Sequence, residues 1–334
     1  MKQLIYIFLL FFLFISCSRD ERSAVDVSGI PVNITIQRLD QEMLQCKSPA
    51  DVQAFLRKYP DFTQIFLRAD SAQPDTALAR TVYTTLQNDG FQQLYRDVQK
   101  VYGNLKDVEN QLKDAFQHIK YYYPDFNPPK VQTAMTGLGS LSKGQDLYVS
   151  DSLVIIGLDF YLGEKNASYV PDVPQYVMRR FQKPFIVPQI VLFLSQQYNR
   201  ANPRDPALLA EMIFYGKAFE FAATVQPSVP DSIVSVIFSG TQLIEAAENK
   251  AVIWSHFLQE KLLYETNHFK KVKYIGERPY TAEIGKKCPG AIGRWLGWEI
   301  VKKYRREHPE VSLPELMQDP RAQHIFEESN YKGS

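Results

Sequence analysis

Histidine and cysteine are both rare in this sequence, five and three among 334 residues, and no two histidines stand four apart. A catalytic zinc site takes three protein ligands, commonly with a histidine pair on one helical face, so His-Glu-x-x-His chemistry is excluded. Gly-x-Ser-x-Gly is absent, and the stretch Leu138-Gly139-Ser140-Leu141-Ser142 has no strand-to-helix elbow around it. No Walker-type glycine loop occurs. Net charge is missing too, with 38 Lys and Arg against 37 Asp and Glu. That balance offers no basic field to nucleic acid and no acidic excess that would favour disorder. No internal repeat and no low-complexity tract appears, and beyond the N-terminus no run of eighteen apolar residues occurs, so the body is expected to be soluble.

The one long apolar run opens the chain. Lys2 is followed by Leu4 to Ile15, broken only by Tyr6, and the run ends Phe14-Ile15-Ser16-Cys17. A basic start, about a dozen apolar residues and a small residue before cysteine form a lipoprotein signal peptide. Residues 1–16 are read as that signal. Cys17 is read as the new N-terminus, carrying a diacylglyceryl group and an acyl chain such as palmitate. Ser18-Arg19-Asp20-Glu21-Arg22-Ser23 is polar, so residues 17–29 form a tether and residues 30–334 the body. Cys46 and Cys288 remain, and whether they pair is left open by their positions in the chain.

Within the body, Ile30, Val32, Ile34 and Ile36 alternate with polar residues or proline and predict a half-buried strand. Ser48 before Pro49 predicts a capped helix to about Tyr59. Helical patterns then cover roughly 75–86, 91–101 and 105–122, the last with a stripe of Leu105, Val108, Leu112, Phe116 and Ile119. Residues 130–135 and 152–156 read as short strands. The remainder reads as helices over about 173–181, 186–198, 207–225, 242–264 and 293–307, with short ones near Leu313 and Ala322. The fold class is α+β, a helix-rich single domain with a small β-sheet and a loose subdivision near 126.

Sites of chemistry are few. His256 and Glu260, four apart, suit either a shared metal or an exposed ion pair. Cys288 follows Lys286 and Lys287, which read as a reactive thiol's partners or as a solvated turn. Gly290, Gly293 and Gly297 suit an anion at a helix start or close helix packing. Around them lies the most distinctive block, in which Arg294 and Glu299 are the only charges among glycine, isoleucine, leucine, Trp295 and Trp298. Those four residues form a candidate pocket or interface.

Several blocks resemble the gliding-motility lipoproteins of the GldB type found in Bacteroidota. They are Ile156-Gly157-Leu158-Asp159-Phe160-Tyr161-Leu162-Gly163, Met212-Ile213-Phe214-Tyr215-Gly216-Lys217-Ala218 and Ile253-Trp254 with Leu262-Leu263-Tyr264. The clearest is Pro289-Gly290-Ala291-Ile292-Gly293-Arg294-Trp295-Leu296-Gly297-Trp298-Glu299-Ile300-Val301, and Ser329-Asn330-Tyr331-Lys332 also fits. The resemblance implies a membrane-tethered envelope protein of gliding motility and related secretion machinery, facing the periplasm or the outer-membrane surface, held by Cys17, with envelope protein partners and no established catalysis. That family is in turn similar to predicted zinc-dependent proteases, in which a glutamate ligand precedes a glycine. Here Tyr215 precedes Gly216, and the helix over 186–198 offers Gln189, Gln196 and Gln197 but no histidine, so the body reads as a degenerate metallopeptidase-like fold without metal or other cofactor. Tyr215 and Gly216 therefore join the candidate surface. The alternatives are a periplasmic hydrolase using Glu211, Glu220 or His256, and a carrier of an apolar ligand in a body rich in Phe and Tyr.

Overall fold

The computed structural model describes residues 25–67, 75–141, 145–164, 166 and 173–333. The expected signal peptide, Cys17 and the tether as far as residue 24 lie outside them. The alternation from Ile30 to Ile36 survives as burial, with Val32 and Ile36 buried and Pro31, Asn33 and Thr35 exposed. Only its end is a strand, β1 (Ile36–Gln37). Alternation decides which side chains face the core, but a ladder also needs a neighbour. The neighbour reaches only Ile36 and Gln37, which register against Val131 and Gln132.

Two helices follow, α1 (Leu39–Leu44) and α2 (Pro49–Lys58). Ser48 caps the second by accepting the Asp51 N–H at 3.2 Å, with Pro49 in the first turn. A π-helical turn over Phe62–Phe66 stacks Phe62 on Phe66 and sets Phe55 edge-on. Helices α3 (Asp75–Leu86), α4 (Asp89–Tyr102) and α5 (Lys106–Tyr122) complete the first half. The expected stripe of α5 is buried from Val108 to Ile119.

Prolines at 124, 128 and 129 precede the sheet's other three strands, β2 (Lys130–Ala134), β3 (Leu147–Val149) and β4 (Leu153–Gly157). Their order is β1-β2-β4-β3, with β2 parallel to both neighbours and β3 antiparallel to β4. Every residue of β4 is buried. That accounts for its unbroken Leu-Val-Ile-Ile run, since a strand covered on both faces needs no alternation.

The second half contains α6 (Gln175–Met178), α7 (Ile186–Ser195), α8 (Leu208–Val225), α9 (Asp231–Val234) and α10 (Gly240–Glu248). It continues with α11 (Lys250–Gln259), α12 (His268–Ile275), α13 (Ile292–Glu307), α14 (Leu313–Gln318) and α15 (Ala322–Ser329). The single helix expected over 242–264 is two helices. Asn249 interrupts it at φ −106°, ψ 15°, its amide donating to the Glu245 carbonyl, and Lys261 turns left-handed beyond α11. Within α11, Ile253, Trp254 and Phe257 face inward and Leu258 is 50% exposed.

Helix α8 is buried almost all round, as its near-continuous apolar sequence requires. It packs most extensively on α13 and also meets α5, α7 and α15. One buried apolar cluster runs from Val32 to Tyr331. The architecture is thus α+β, helix-rich with one small mixed sheet. Cys46 and Cys288 are both free thiols.

Candidate functional site

The block that stands out in the sequence is the contact between α8 and α13. Gly216 has no room for a side chain: a Cβ there would lie 2.4 Å from the Gly297 carbonyl oxygen. A Cβ on Gly297 would lie 1.9 Å from the Met212 carbonyl oxygen. Two glycines therefore bring the two backbones together, and Gly293 similarly sits under the Tyr274 carbonyl. Trp295 and Trp298 are buried on either side of this crossing, at 3% and 0% exposure. Close packing is the use the structure makes of these glycines.

The charges of the block are drawn to two places. At the start of α13, the Arg294 guanidinium lies over the Tyr215 ring, 4.1 Å from its centroid. Its Nε donates to the Ile275 carbonyl at 2.6 Å, capping the end of α12, and Glu277 lies 3.6 Å away. Further along, Trp298 Nε1 donates to Glu220 at 3.0 Å, and Arg305 joins Glu220 at 2.7 Å and Thr224 at 2.9 Å. Lys302 covers the Trp298 ring at 4.1 Å and pairs with Glu299 at 2.8 Å and Asp231 at 3.3 Å. Burial pulls the Lys302 pKa down, but Glu299 and Asp231 outweigh it and hold the group above its ordinary value. Tyr215 and Arg294 thus meet each other. Glu299 belongs to the second cluster.

Two further buried charges organise the surroundings, and sequence reasoning gave neither a role. Lys217, next to Gly216 and 1% exposed, donates to three carbonyls: Arg200 at 2.7 Å, Met317 at 3.2 Å and Asp319 at 2.7 Å. Burial pushes its pKa down to about 8, with Asp319 opposing. An open cleft of about 570 Å³ beside it is lined by Arg200, Asn202, Asp205, Gln318 and Arg321 among others. Asp159, after β4, accepts from Thr136 N–H at 2.8 Å, Thr136 Oγ1 at 2.7 Å and Leu138 N–H at 2.8 Å. Burial raises its pKa and those hydrogen bonds lower it, with burial prevailing. The signal for both was a charge inside an otherwise apolar block, which costs too much to bury without partners.

The groups weighed for catalysis are placed as follows. Glu211 forms an ion pair with Lys271, which also donates to the Pro206 carbonyl at 2.7 Å. His256 Nε2 lies 3.0 Å from the Tyr274 hydroxyl, and Glu260 is exposed. Cys288 is buried, and burial pushes its thiol up to about 12, the opposite of what a nucleophile needs. Gln189 donates to the Phe185 carbonyl at 3.2 Å, while Gln196 and Gln197 are exposed. Among the described residues no group of three or more His, Cys, Asp or Glu side chains is arranged to hold a metal ion. Nor is any helix among them long and apolar enough to cross a membrane.

No curated protein and no solved structure matches this chain. A family model described as gliding motility protein GldB matches residues 20–333, nearly the full length and all of the α8–α13 block. The chain therefore belongs to the gliding motility protein GldB family.

Proposed function

We propose that this protein is a cell-envelope lipoprotein that works by binding other envelope proteins and carries out no catalysis. In this reading residues 1–16 are removed as a signal peptide, Cys17 carries the diacylglyceryl anchor, 17–29 tether, and 30–334 form the working body. The body faces the periplasm or the outer-membrane surface. The observation that carries the binding reading is the state of the polar groups in the α8–α13 block. Arg294, Glu220, Glu299, Lys302 and Arg305 are each engaged with an internal partner. Groups so engaged hold a rigid framework, whereas a general acid or base must be open to substrate. Tyr215, Gly216, Arg294, Trp295, Trp298 and Glu299 then act by fixing the shape that a partner meets, and the scaffold is a metallopeptidase-like one from which the ligands are gone.

Radiolabelled palmitate tests the anchor. Label is expected in the wild-type chain and absent from Cys17→Ala, and mass spectrometry of the processed protein is expected to find Cys17 at the N-terminus carrying a diacylglyceryl thioether and an N-acyl chain. An unmodified thiol there would overturn the lipoprotein reading. Crosslinking in membranes tests the binding mode, with a discrete envelope protein captured from positions around the block as the supporting result.

A further inference from the structure

Large apolar side chains left in water are concentrated in one part of this chain. Of the eleven such residues among those described, seven lie between Ile244 and Tyr280, and Phe269 is the extreme at 82% exposure. It stands on α12 with Val272, three residues on and therefore on the same face, also exposed. The opposite face is fixed: Lys271 reaches Glu211 and the Pro206 carbonyl, Tyr274 bonds His256, and Ile275 is held by Arg294. The outward direction of Phe269 is thus imposed by three anchors on the other side of the helix.

Charge is concentrated in the same place. In a chain of net charge +1, residues 268–287 hold six Lys and Arg against two Glu. Lys271 is turned inward, Lys270 pairs with Glu265 at 3.0 Å, and Lys273 and Arg278 share Glu283 at 3.7 and 3.2 Å. Glu283 pins the 281–288 turn to α12. On that turn Lys286 and Lys287 are exposed and have no acidic partner among the described residues.

We propose that α12 and the 281–288 turn form a contact face for an anionic lipid headgroup layer, Phe269 and Val272 entering the interface and Lys286 and Lys287 meeting phosphate. Exposed aromatic and aliphatic groups beside lysines suit the membrane interface, whereas lysine is depleted from protein–protein contacts. The inference rests on the anchored reading of Cys17. The eight residue-to-residue steps from Cys17 to Val25 reach at most about 28 Å when extended, so the body stays close to headgroups.

The test uses the processed, acylated protein in vesicles of phosphatidylcholine, with or without phosphatidylglycerol, made with brominated acyl chains. Trp254, Trp295 and Trp298 are all buried, so an indole introduced by Phe269→Trp reports on its own surroundings. Phe193→Trp, on α7 and 47% exposed in the native residue, is the control. Quenching of the Phe269→Trp indole alone, in anionic vesicles, is expected. Each of Lys286→Ala and Lys287→Ala is expected to weaken the contact roughly fivefold. Protein that floats with the vesicles without quenching at Phe269→Trp overturns the contact face and leaves the anchor standing. Protein that does not float overturns both. Equal quenching at both positions also overturns the proposal, since no particular face is then selected. If quenching is absent and a crosslinker at position 269 captures a protein, that face belongs to a protein partner instead.

Discussion

Individual residues in the α8–α13 block are constrained by distance more than by chemistry. Gly297→Ala places a methyl carbon within 2 Å of a backbone oxygen that cannot rotate away, so the helices must separate along their length. The expected loss is about 2–3 kcal/mol, typical of overpacked cores, and urea unfolding measures it. Gly216→Ala should cost a similar amount. Because the two changes act on one crossing, the double variant should lose less than the summed effects. Lys217 is constrained by its hydrogen bonds. Lys217→Met keeps the apolar stem but leaves the carbonyls of Arg200 and Asp319 without the ammonium donor, while the Met317 carbonyl keeps the Arg200 N–H. A loss of about 2 kcal/mol is expected, with faster amide exchange at the end of α14. These residues were visible in the sequence as a glycine–tryptophan block and an isolated lysine. Their partners were not, because the pairing of Arg294 with Tyr215, or of Trp298 with Glu220, is decided by how distant segments pack.

Among elements, local signals were legible where they were complete within a few residues. Ser48 and Pro49 start α2 where the capping pattern places it, and the stripe of α5 is buried as its spacing requires. The segment from Ile30 to Ile36 shows the limit: its alternation states which side chains go in, and only Ile36 and Gln37 find a strand to pair with. The 242–264 stretch shows another. A helical pattern continues across Asn249, but the asparagine side chain bonds its own helix end and the helix breaks there. A third element, the loop from Thr136 to Leu141, depends on one carboxylate. Asp159→Asn retains the shape but cannot accept as strongly from the Thr136 and Leu138 N–H groups. It is expected to lose about 2 kcal/mol and to speed amide exchange at Leu138 well before global unfolding.

At the scale of the whole molecule, the surface carboxylates set a direction for acid stability. Burial raises Glu42, but Lys58 and Tyr59 outweigh it and hold it below the usual carboxylate range. Asp319 is likewise raised by burial and brought lower overall by Arg321. For both, the unfolded chain takes up a proton at a higher pH than the folded one, so each contributes stability that is lost as pH falls through the carboxylate range. Asp159 and Asp146, pushed up by burial, act in the opposite sense. The Glu42 contribution can be isolated by comparing wild type with Glu42→Gln. Their difference in stability should shrink from about pH 6 to about pH 3, as followed by urea unfolding at each pH.

The family match runs from residue 20 to residue 333. A body that binds without catalysing has no need of a resident metal. Elemental mass spectrometry of the purified protein, prepared without a histidine tag, tests this most directly. Zinc far below one per chain is the expected result; zinc close to stoichiometric, retained through dialysis, would contradict the non-catalytic reading and return the hydrolase alternative to first place.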